Sequence, residues 1–241
     1  MKLALESRPD LLKLVQPLAD FDFILAQEVL GNEEYAEWYR ESTKIKYLDN
    51  GLAENGQPLT IEQLKEADEK VGGNCIIMAP DWRGEFSRTV EAYVEACKAF
   101  TTNRVIGVMQ GSSPSECLSC LNYYQGVIAV PFRILSTMDD SPDVMALRRA
   151  LLISNIPNDR LVHLLGLTTL EELEWYENKP NVMSIDTGVP ILMGLQEAHI
   201  QDGLENKSVP THKLAAEIEL TQKRWLAIVV NIATLRRYLP A

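Results

Sequence analysis

Four apolar runs of this chain end in, or are closely followed by, an acidic or amide residue. These residues are Asp49 in "YLDNG", Asp81 in "IIMAPD", Gln110 in "VIGVMQG" and Asp186 in "VMSIDTG". Two carboxylates on opposite faces of a glycosidic carbon can perform a double displacement. One forms a covalent glycosyl intermediate, and the other moves the proton of the leaving and entering groups. The sequence therefore offers candidates for sugar chemistry.

Each of these residues also has a structural alternative. The Asp-Asn-Gly at 49–51 is typical of a tight turn, Asp81 could cap a helix, Gln110 could belong to a turn and Asp186 could bond its own loop. The Asp-Thr-Gly at 186–188 is also the catalytic sequence of pepsin-type aspartic proteases. The elements that carry these residues must decide between the possibilities.

Apolar runs rich in Val, Ile, Leu and Met recur along the chain, and amphipathic segments separate them. The runs cover residues 2–7, 20–27, 44–51, 75–81, 104–111, 126–132, 160–167 and 182–188. The segments between them have helix starts, such as Asn32 before "EEYAEWYRES" and the capping-box pattern of Thr60 and Gln63. This alternation is typical of parallel strands joined by crossover helices.

Eight strand–helix units in 241 residues predict a compact, single TIM (β/α)8 barrel domain with a C-terminal helical extension. Residues 1–200 would form the barrel core, and residues 201–213 a mobile loop beside the site. A long amphipathic helix would follow from residue 213. Its predicted buried stripe consists of Leu214, Ile218, Trp225, Ile228, Ile232 and Leu235. A pepsin-type protease is almost all strand, so this fold argues against peptide cleavage.

Composition limits the function classes. The chain is 46% hydrophobic and 24% charged with a formal net charge of -11, which argues against non-specific coating of nucleic acid. No apolar run approaches the roughly 18 residues of a membrane span, and residues 1–20 are too charged for a signal peptide, so we expect a cytoplasmic protein with no membrane contact. Cys117 and Cys120 form a C-x-x-C. Without a second Cys or His pair, we interpret them as residues of one helical turn, and expect no metal.

Chemistry in a barrel takes place where the strands end, so the candidate residues should meet at one mouth. Guanine presents two adjacent N–H donors and one carbonyl acceptor. Carboxylates can accept from those donors while a glutamine amide donates to the carbonyl. The sequence therefore predicts a purine site at the mouth.

Three segments of the chain carry motifs of a known enzyme family. "RVIGVMQGSSPSECLSCLNYYQGVIAVPF" is similar to that family's G-I-V-Q-G-G strand, the following helix and the G-Y-A-I-G-G-L strand. "VHLLGLTTLEELEWYENKPNVMSIDTGVP" resembles its L-M-G-V-G-T-P-E-D-L and G-V-D-M-F-D-C-V segments, and "YLDNGLAE" stands where the family has D-S-G-G-F. The chain thus resembles the tRNA-guanine transglycosylase superfamily over about two thirds of its length.

The resemblance implies roles for individual residues. Asp186 matches the nucleophile, Asp49 the general acid/base, and Asp81 and Gln110 the purine-recognition residues. "IAVPF" replaces the usual Gly-Gly edge, so only main-chain groups would be offered there, and "VHLLGL" is the segment expected at position 7 of the base. The further expected substrate contacts are Asn50, Gly51, Gly111, Ala129, Val130 and His163. For His163 the alternative is a packed strand histidine, which is the more common case. The expected phosphate contacts are Arg83, Arg88, Arg133, Arg148 and Arg149.

The chain departs from the tRNA enzymes after the last predicted strand. Those enzymes hold a zinc ion there with three cysteines and a histidine, whereas no cysteine follows Cys120. The compact, zinc-free pattern resembles the bacterial and phage enzymes of the DpdA type, which exchange guanine in DNA for a 7-deazaguanine such as preQ0 and so protect DNA against restriction. The resemblance thus implies DNA and a 7-deazaguanine base as substrates, a flipped guanosine and no cofactor.

Three other functions stay open at this level. The chain could act on tRNA, or it could be a non-catalytic nucleic-acid-binding subunit, although three mouth carboxylates argue against the latter. It could also be another barrel enzyme such as a sugar-phosphate lyase. Such a lyase would need a phosphate-binding glycine loop and usually a Schiff-base lysine, and the sequence supplies neither convincingly.

Overall fold

The protein is described by a computed structural model that covers residues 1–137, 140–167, 169–202 and 218–240. Eight strands form one all-parallel sheet in the order β1-β8-β7-β6-β5-β4-β3-β2. They are β1 (Lys2–Leu5), β2 (Asp22–Leu25), β3 (Lys46–Asp49), β4 (Ile76–Met78), β5 (Val105–Val108), β6 (Ile128–Pro131), β7 (Val162–Leu165) and β8 (Val182–Thr187). Each predicted apolar run contains one strand. The sheet is a near-closed barrel surrounded by helices, so the predicted TIM-barrel fold is confirmed.

The strands are apolar because both of their faces are covered. All four residues of β2 and of β5 are buried, as expected for parallel strands that contact the barrel interior on one side and helices on the other. Asp20 links the first and second strands. Its N–H donates to the Leu3 carbonyl at 2.7 Å, and its carboxylate accepts from the Leu3 N–H at 2.8 Å.

The helices lie between the strands along the chain, and several begin at capping residues that the sequence shows. They are α1 (Leu12–Val15), α2 (Ala26–Gly31), α3 (Glu33–Glu41), α4 (Leu52–Asn55), α5 (Ile61–Lys70), α6 (Phe86–Phe100), α7 (Pro114–Ser119), α8 (Pro142–Ser154), α9 (Glu171–Glu174), α10 (Val189–Leu195) and α11 (Gln222–Tyr238). The Thr60 hydroxyl and the Gln63 side chain form the predicted capping box of α5, and Asn32 caps α3. None of the described helices is long and apolar enough to cross a membrane.

The first predicted helix is interrupted. Only α1 is α-helical, and a 3-10 turn lies on each side of it, at Pro9–Leu11 and Gln16–Leu18. Pro17 belongs to the second turn. A proline has no N–H to donate and its ring crowds the preceding turn, which explains why the α-helix ends before it.

The C-terminal helix is shorter than predicted. Residues 218–221 are not helical, and the Thr221 side chain accepts from the Arg224 N–H to cap α11. The predicted stripe residues Ile228, Ile232 and Leu235 are buried, whereas Trp225 is partly exposed. Leu214 and residues 203–213 of the predicted mobile loop lie outside the described residues.

Helix α11 packs directly on α10 at a glycine. A Cβ atom added to Gly194 would lie 2.5 Å from the backbone nitrogen of Ile228 and 2.6 Å from its Cα. Only glycine therefore allows this approach of the two helix backbones. Asn231 strengthens the contact, because its side chain donates to the Ala198 carbonyl at 3.0 Å and accepts from the Ile200 N–H at 3.0 Å. The C-terminal helix is thus attached to the barrel next to the strand that carries Asp186.

Candidate active site

Asp186 lies near the carboxyl end of β8, and its carboxylate is held by strand β7 and the loop after it. Oδ1 accepts from His163 Nε2 at 3.0 Å and from the Gly166 N–H at 3.2 Å. The side chain is 5% exposed. Both of these hydrogen bonds reach the same oxygen, and no hydrogen bond from a described residue reaches Oδ2. Asp186 therefore has one fixed oxygen and one that is available to a ligand.

Asp49 is the last residue of β3, and the turn after it fixes its side chain. Its Oδ2 accepts from the Gly51 N–H at 2.8 Å. Gly51 has a φ of 75°, which favours glycine, and a Cβ there would lie 2.9 Å from Asn55 Nδ2 and 3.0 Å from Gln27 Oε1. The tight-turn interpretation of residues 49–51 is therefore correct. It is compatible with a chemical role, because the turn presents the Asp49 carboxyl at the mouth.

A hydrogen-bonded unit joins the carboxyl ends of β3, β4 and β5. Asn50 Nδ2 donates to Asp81 Oδ1 at 2.7 Å and to the Ala79 carbonyl at 2.8 Å. Gln110 Nε2 donates to Asp81 Oδ2 at 2.6 Å, and Gln110 Oε1 accepts from the Gly84 N–H at 3.3 Å. Asn50 thus braces Asp81. Each Asp81 oxygen accepts one hydrogen bond here and has a second lone pair for a ligand donor.

The mouth carboxyls influence one another through burial and charge. Burial raises the pKa of Asp81 to about 6, although the hydrogen bonds from Asn50 and Gln110 and the nearby Arg83 oppose this rise. The pKa of Asp49 lies well above its usual range, mainly because of burial. The nearby Glu54 carboxylate raises it further, and Asp186 and Asp81 add to the effect. Asp49 therefore holds its proton up to a higher pH than an ordinary aspartate does.

Sequence reasoning missed two further carboxyls at this mouth. Glu6 follows directly after β1, and Glu54 lies in α4. Burial raises the pKa of Glu6 well above its usual range, and the charges of Glu54, Asp186 and Asp49 raise it further, so these four side chains are neighbours. The rule that identified Asp49 also applies to Glu6, because "KLALE" is an apolar run that ends in an acidic residue. Glu54 has no comparable signal.

The amide of Gln27 was also missed. Gln27 is the second residue of α2. Its Oε1 lies next to Gly51, because a Cβ atom added to that glycine would be 3.0 Å from it. Both polar atoms of its side chain are buried and form no hydrogen bond with a described residue. An unpaired buried amide is costly, so this group is suited to contact a ligand in the mouth.

Three of the expected base contacts, Gly111, Ala129 and Val130, are packed against neighbouring elements. Gly111 packs beneath α7, where an added Cβ would meet the Cys117 nitrogen at 2.8 Å. Ala129 and Val130 are fully buried in the ladders of β6 with its neighbours. The Ala129 carbonyl accepts from the Met109 N–H at 2.8 Å. The sheet therefore already uses one of the main-chain groups that were expected to face the base, and the contact with the base stays a prediction.

His163 does not reach the edge of the mouth. It is fully buried inside the barrel, and its ring nitrogens contact Asp186 and Ser184. Both hydrogen-bonding atoms of the ring are therefore occupied by the protein. The base contact predicted for His163 is therefore wrong and the packed-histidine alternative is correct, because β7 directs this side chain below Asp186 into the interior.

The predicted phosphate-binding arginines divide into two groups. Arg83 and Arg88 are exposed in the segment after β4, and Arg133 is partly buried in the segment after β6. Burial lowers the pKa of Arg133, and the nearby Arg83 lowers it further, so these two cations are neighbours. Neither forms an ion pair with a described residue. Arg88 stacks on the Trp82 ring at 3.9 Å and pairs with Glu85 at 3.4 Å.

The other two arginines are used by the protein itself. Arg149 is fully buried and forms an ion pair with Glu172, so the prediction that it contacts phosphate is wrong. Helix α8 directs this side chain inward. Arg148 is partly exposed, but its guanidinium bonds the Asp140 carboxylate and the Leu135 carbonyl and so closes the segment before α8.

Cys117 and Cys120 are part of the packed interior of the protein. Cys117 and Cys120 are buried, and Cys120 Sγ donates to the Gln110 carbonyl at 3.4 Å. Burial raises the pKa of the Cys117 thiol to about 12, which disfavours the thiolate that metals and disulfide exchange require. No group of three or more potential metal ligands occurs among the residues described in the structure.

A groove of about 390 Å³ lies between α7 and α8. Its lining is mostly apolar, and its polar side chains are Ser112, Arg148 and Asn155. These lining residues include no carboxyl or imidazole group that could act as a general acid or base, so the mouth is the better candidate for chemistry.

Comparison of the chain with protein-family models and with curated proteins gave no match. The functional argument therefore rests on the mouth itself and on the motif resemblance given above.

Proposed function

We propose that this protein is a guanine transglycosylase that exchanges guanine in DNA for a 7-deazaguanine base. The observation that carries the proposal is the pairing of two unlike carboxyls at one barrel mouth. Asp186 has one oxygen fixed by two donors and the other available, whereas Asp49 has a pKa well above its usual range. A nucleophile and a proton donor are the two groups that a double displacement at a glycosidic carbon requires.

In the first half-reaction, a guanosine is flipped out of the DNA so that C1′ reaches the mouth. Asp186 Oδ2 bonds to C1′ while the bond from C1′ to guanine N9 breaks, and the electron pair of that bond goes to N9. Asp49 transfers its proton to the departing guanine and becomes a carboxylate. The sugar is then joined to Asp186 as an ester, and no electron has been gained or lost.

In the second half-reaction, a 7-deazaguanine occupies the same purine site. Asp49 removes the N9 proton of this base, N9 bonds to C1′, and the bond between C1′ and Asp186 breaks. Asp186 becomes a carboxylate again, and Asp49 regains its proton. The two inversions retain the configuration at C1′. Water would compete as a nucleophile, so the burial of these side chains favours base exchange over hydrolysis.

The unit formed by Asn50, Asp81 and Gln110 supports recognition of a guanine-like base. Asp81 has a free lone pair on each oxygen for the two adjacent N–H donors of the base. Gln110 would have to turn its amide away from Asp81 to donate to the base carbonyl, since Nε2 bonds Asp81 in the present arrangement. Binding of the base therefore replaces one hydrogen bond of this unit with three new ones, two from the base to Asp81 and one from Gln110 to the base carbonyl.

DNA is proposed as the acceptor because the chain resembles the compact, zinc-free enzymes, with no cysteine after Cys120. Arg83 and Arg133 support contact with a polyanion, because two neighbouring cations without an ion pair to a described residue attract phosphate. Such a reaction would take place in the cytoplasm, where chromosomal or phage DNA is found.

Incorporation of labelled preQ0 tests the proposal. The protein is incubated with the label and either DNA or tRNA, and radioactivity in the nucleic acid is counted. We expect label in DNA and none with Asp186→Asn. Asp22→Asn is the matched control, because Asp22 is equally buried but lies at the amino end of β2, away from the mouth. Label in tRNA would change the acceptor, and no label in either would reject the proposed transglycosylase in favour of a binding subunit or another barrel enzyme.

A further inference from the structure

Both ring nitrogens of the buried His163 form hydrogen bonds with side chains of the neighbouring strand β8. Its Nε2 is 3.0 Å from Asp186 Oδ1, and its Nδ1 is 2.9 Å from Ser184 Oγ. Both partners belong to β8, whereas His163 belongs to β7. Two side chains of one strand are therefore linked through the ring of a residue on the neighbouring strand.

The ring of His163 is held by aromatic side chains from the opposite side of the barrel. Phe23 of β2 stacks against it with ring centroids 6.1 Å apart, and Tyr47 of β3 meets it edge-on at 5.4 Å. Phe21 contacts it at 6.1 Å. This packing restricts the orientation of the ring, so the Nε2 atom stays directed at Asp186. Because the ring is fully buried, no substrate can displace it.

The hydrogen-bond pattern also selects one form of the ring. The Asp186 carboxylate can only accept, so Nε2 must carry a proton to bond it. In the neutral ring Nδ1 then accepts from the Ser184 hydroxyl. Ser184, His163 and Asp186 thus form a continuous polar chain that ends at the mouth.

From this geometry we infer that His163 is a positioning residue for the nucleophile of the proposed transfer. It holds Asp186 Oδ1 together with the Gly166 N–H, and so presents Oδ2 to the sugar carbon. The inference rests on the proposed function. The inference adds that His163 determines which oxygen of Asp186 attacks the sugar carbon. His163 would have this role without contacting the substrate.

Two substitutions distinguish positioning from packing. His163→Phe keeps an aromatic ring among aromatic neighbours but removes the donor, whereas His163→Gln packs less well and can place an amide N–H near the position of Nε2. We expect kcat for preQ0 incorporation to fall about 10- to 100-fold in His163→Phe, with KM for preQ0 changed by less than about twofold. His163→Gln should recover most of the lost kcat. Equal or higher activity in His163→Phe than in His163→Gln would reject the inference while leaving the proposed function intact.

A measurement on the unmodified protein covers the case in which no exchange occurs. The chain has 3 histidines, so the imidazole nitrogens can be resolved by ¹⁵N NMR. We expect the ¹⁵N signals of His163 to show a ring that is protonated at Nε2 and unprotonated at Nδ1. In Asp186→Ala, we expect the preference for this tautomer to be lost. Absence of exchange in the wild type would reject the proposed function. A proton on Nδ1 alone would reject the hydrogen bond to Asp186, and with it the inference, whatever the activity.

Discussion

Arg149 and Glu172 form a fully buried ion pair that joins α8 to α9 behind the mouth. Arg149 Nε and Nη2 each lie 2.6 Å from a Glu172 oxygen, and Nη1 donates to the Gly166 carbonyl at 2.8 Å. Burial alone would lower the pKa of Arg149, but Glu172 raises it, and Tyr176 and Asp186 add to the rise. Nη1 also donates to the Leu165 carbonyl at 3.3 Å. Since the N–H of that same Leu165–Gly166 peptide donates to Asp186, Arg149 supports the peptide that holds the candidate nucleophile.

Loss of this arginine should destabilise the protein severely. Arg149→Met removes both hydrogen bonds from the guanidinium to Glu172 and leaves a buried carboxylate that keeps the hydrogen bond from the Tyr176 hydroxyl. Breaking a buried pair in this way typically costs about 3–5 kcal/mol. Urea denaturation measures the free energy of unfolding.

Arg148→Met is the matched control, because it removes a partly exposed arginine from the same helix. A surface pair contributes about 0–1 kcal/mol, so the control should remain close to the wild type. If the two variants lost the same stability, the Arg149–Glu172 pair would not have the structural importance that its burial indicates.

Stability should decrease as the pH rises from 5 to 8. A carboxyl whose pKa is raised in the folded state binds a proton more tightly there than in the unfolded chain. Its contribution is therefore largest below the unfolded value and is lost as the pH rises through the folded value. Asp81, with a pKa near 6 against a usual 3.8, should alone remove about 1 kcal/mol between pH 5 and 8. Asp49 and Glu6 act in the same direction.

Urea denaturation at several pH values checks this prediction. Asp49→Asn keeps an oxygen for the Gly51 N–H but cannot ionise, so its stability should depend less on pH than that of the wild type. Glu62→Gln changes an exposed carboxylate in α5 and should leave the pH dependence unchanged. A wild type that became more stable from pH 5 to 8 would contradict the burial of these carboxyls.

Part of this site follows from the sequence, because strand ends in a barrel all face one mouth. The apolar runs placed Asp49, Asp81 and Asp186 at such ends, and the structure shows Asp49 in the neighbourhood of both other carboxyls. The alternation of side chains along a strand predicts which of them point into the barrel. It does not predict how deep below the mouth each of these side chains lies. This is why His163 was expected at the base edge although it lies below Asp186.

Side-chain partners that are distant in sequence could not be predicted. Arg149 and Glu172 are 23 residues apart, and nothing in "RRALLIS" distinguishes the buried arginine from the exposed one before it. The same holds for α11, where residues after 213 have a helical pattern but the helix begins at Gln222. Thr221 determines this start through its cap, which a pattern of apolar residues does not show.

The approach of α10 and α11 should depend on a single glycine. Gly194→Ala places a methyl group 2.5 Å from the Ile228 backbone nitrogen, so the helices must separate. Overpacking of this kind costs about 1–3 kcal/mol. Hydrogen exchange should become faster in α11. Gly31→Ala is the control, since no atom lies within 4 Å of its added Cβ, and it should exchange like the wild type. Unchanged exchange in both variants would show that α11 is not held by this contact.

Arg83 and Arg133 should contribute to DNA binding through phosphate contacts. Each arginine that neutralises one phosphate adds about 0.9 to the slope of log K against log salt for duplex DNA. We therefore expect Arg83→Gln with Arg133→Gln to weaken binding at low salt and to reduce the slope by roughly 1.5 to 2. Fluorescence anisotropy of a labelled oligonucleotide at several salt concentrations measures both quantities. Arg40→Gln is the control, because it removes an exposed cation from the last turn of α3. This end of α3 precedes β3 and so lies on the side of the barrel away from the mouth. The substitution should leave the salt slope unchanged. An equal reduction in both proteins would mean that DNA responds to overall charge and does not bind across the mouth.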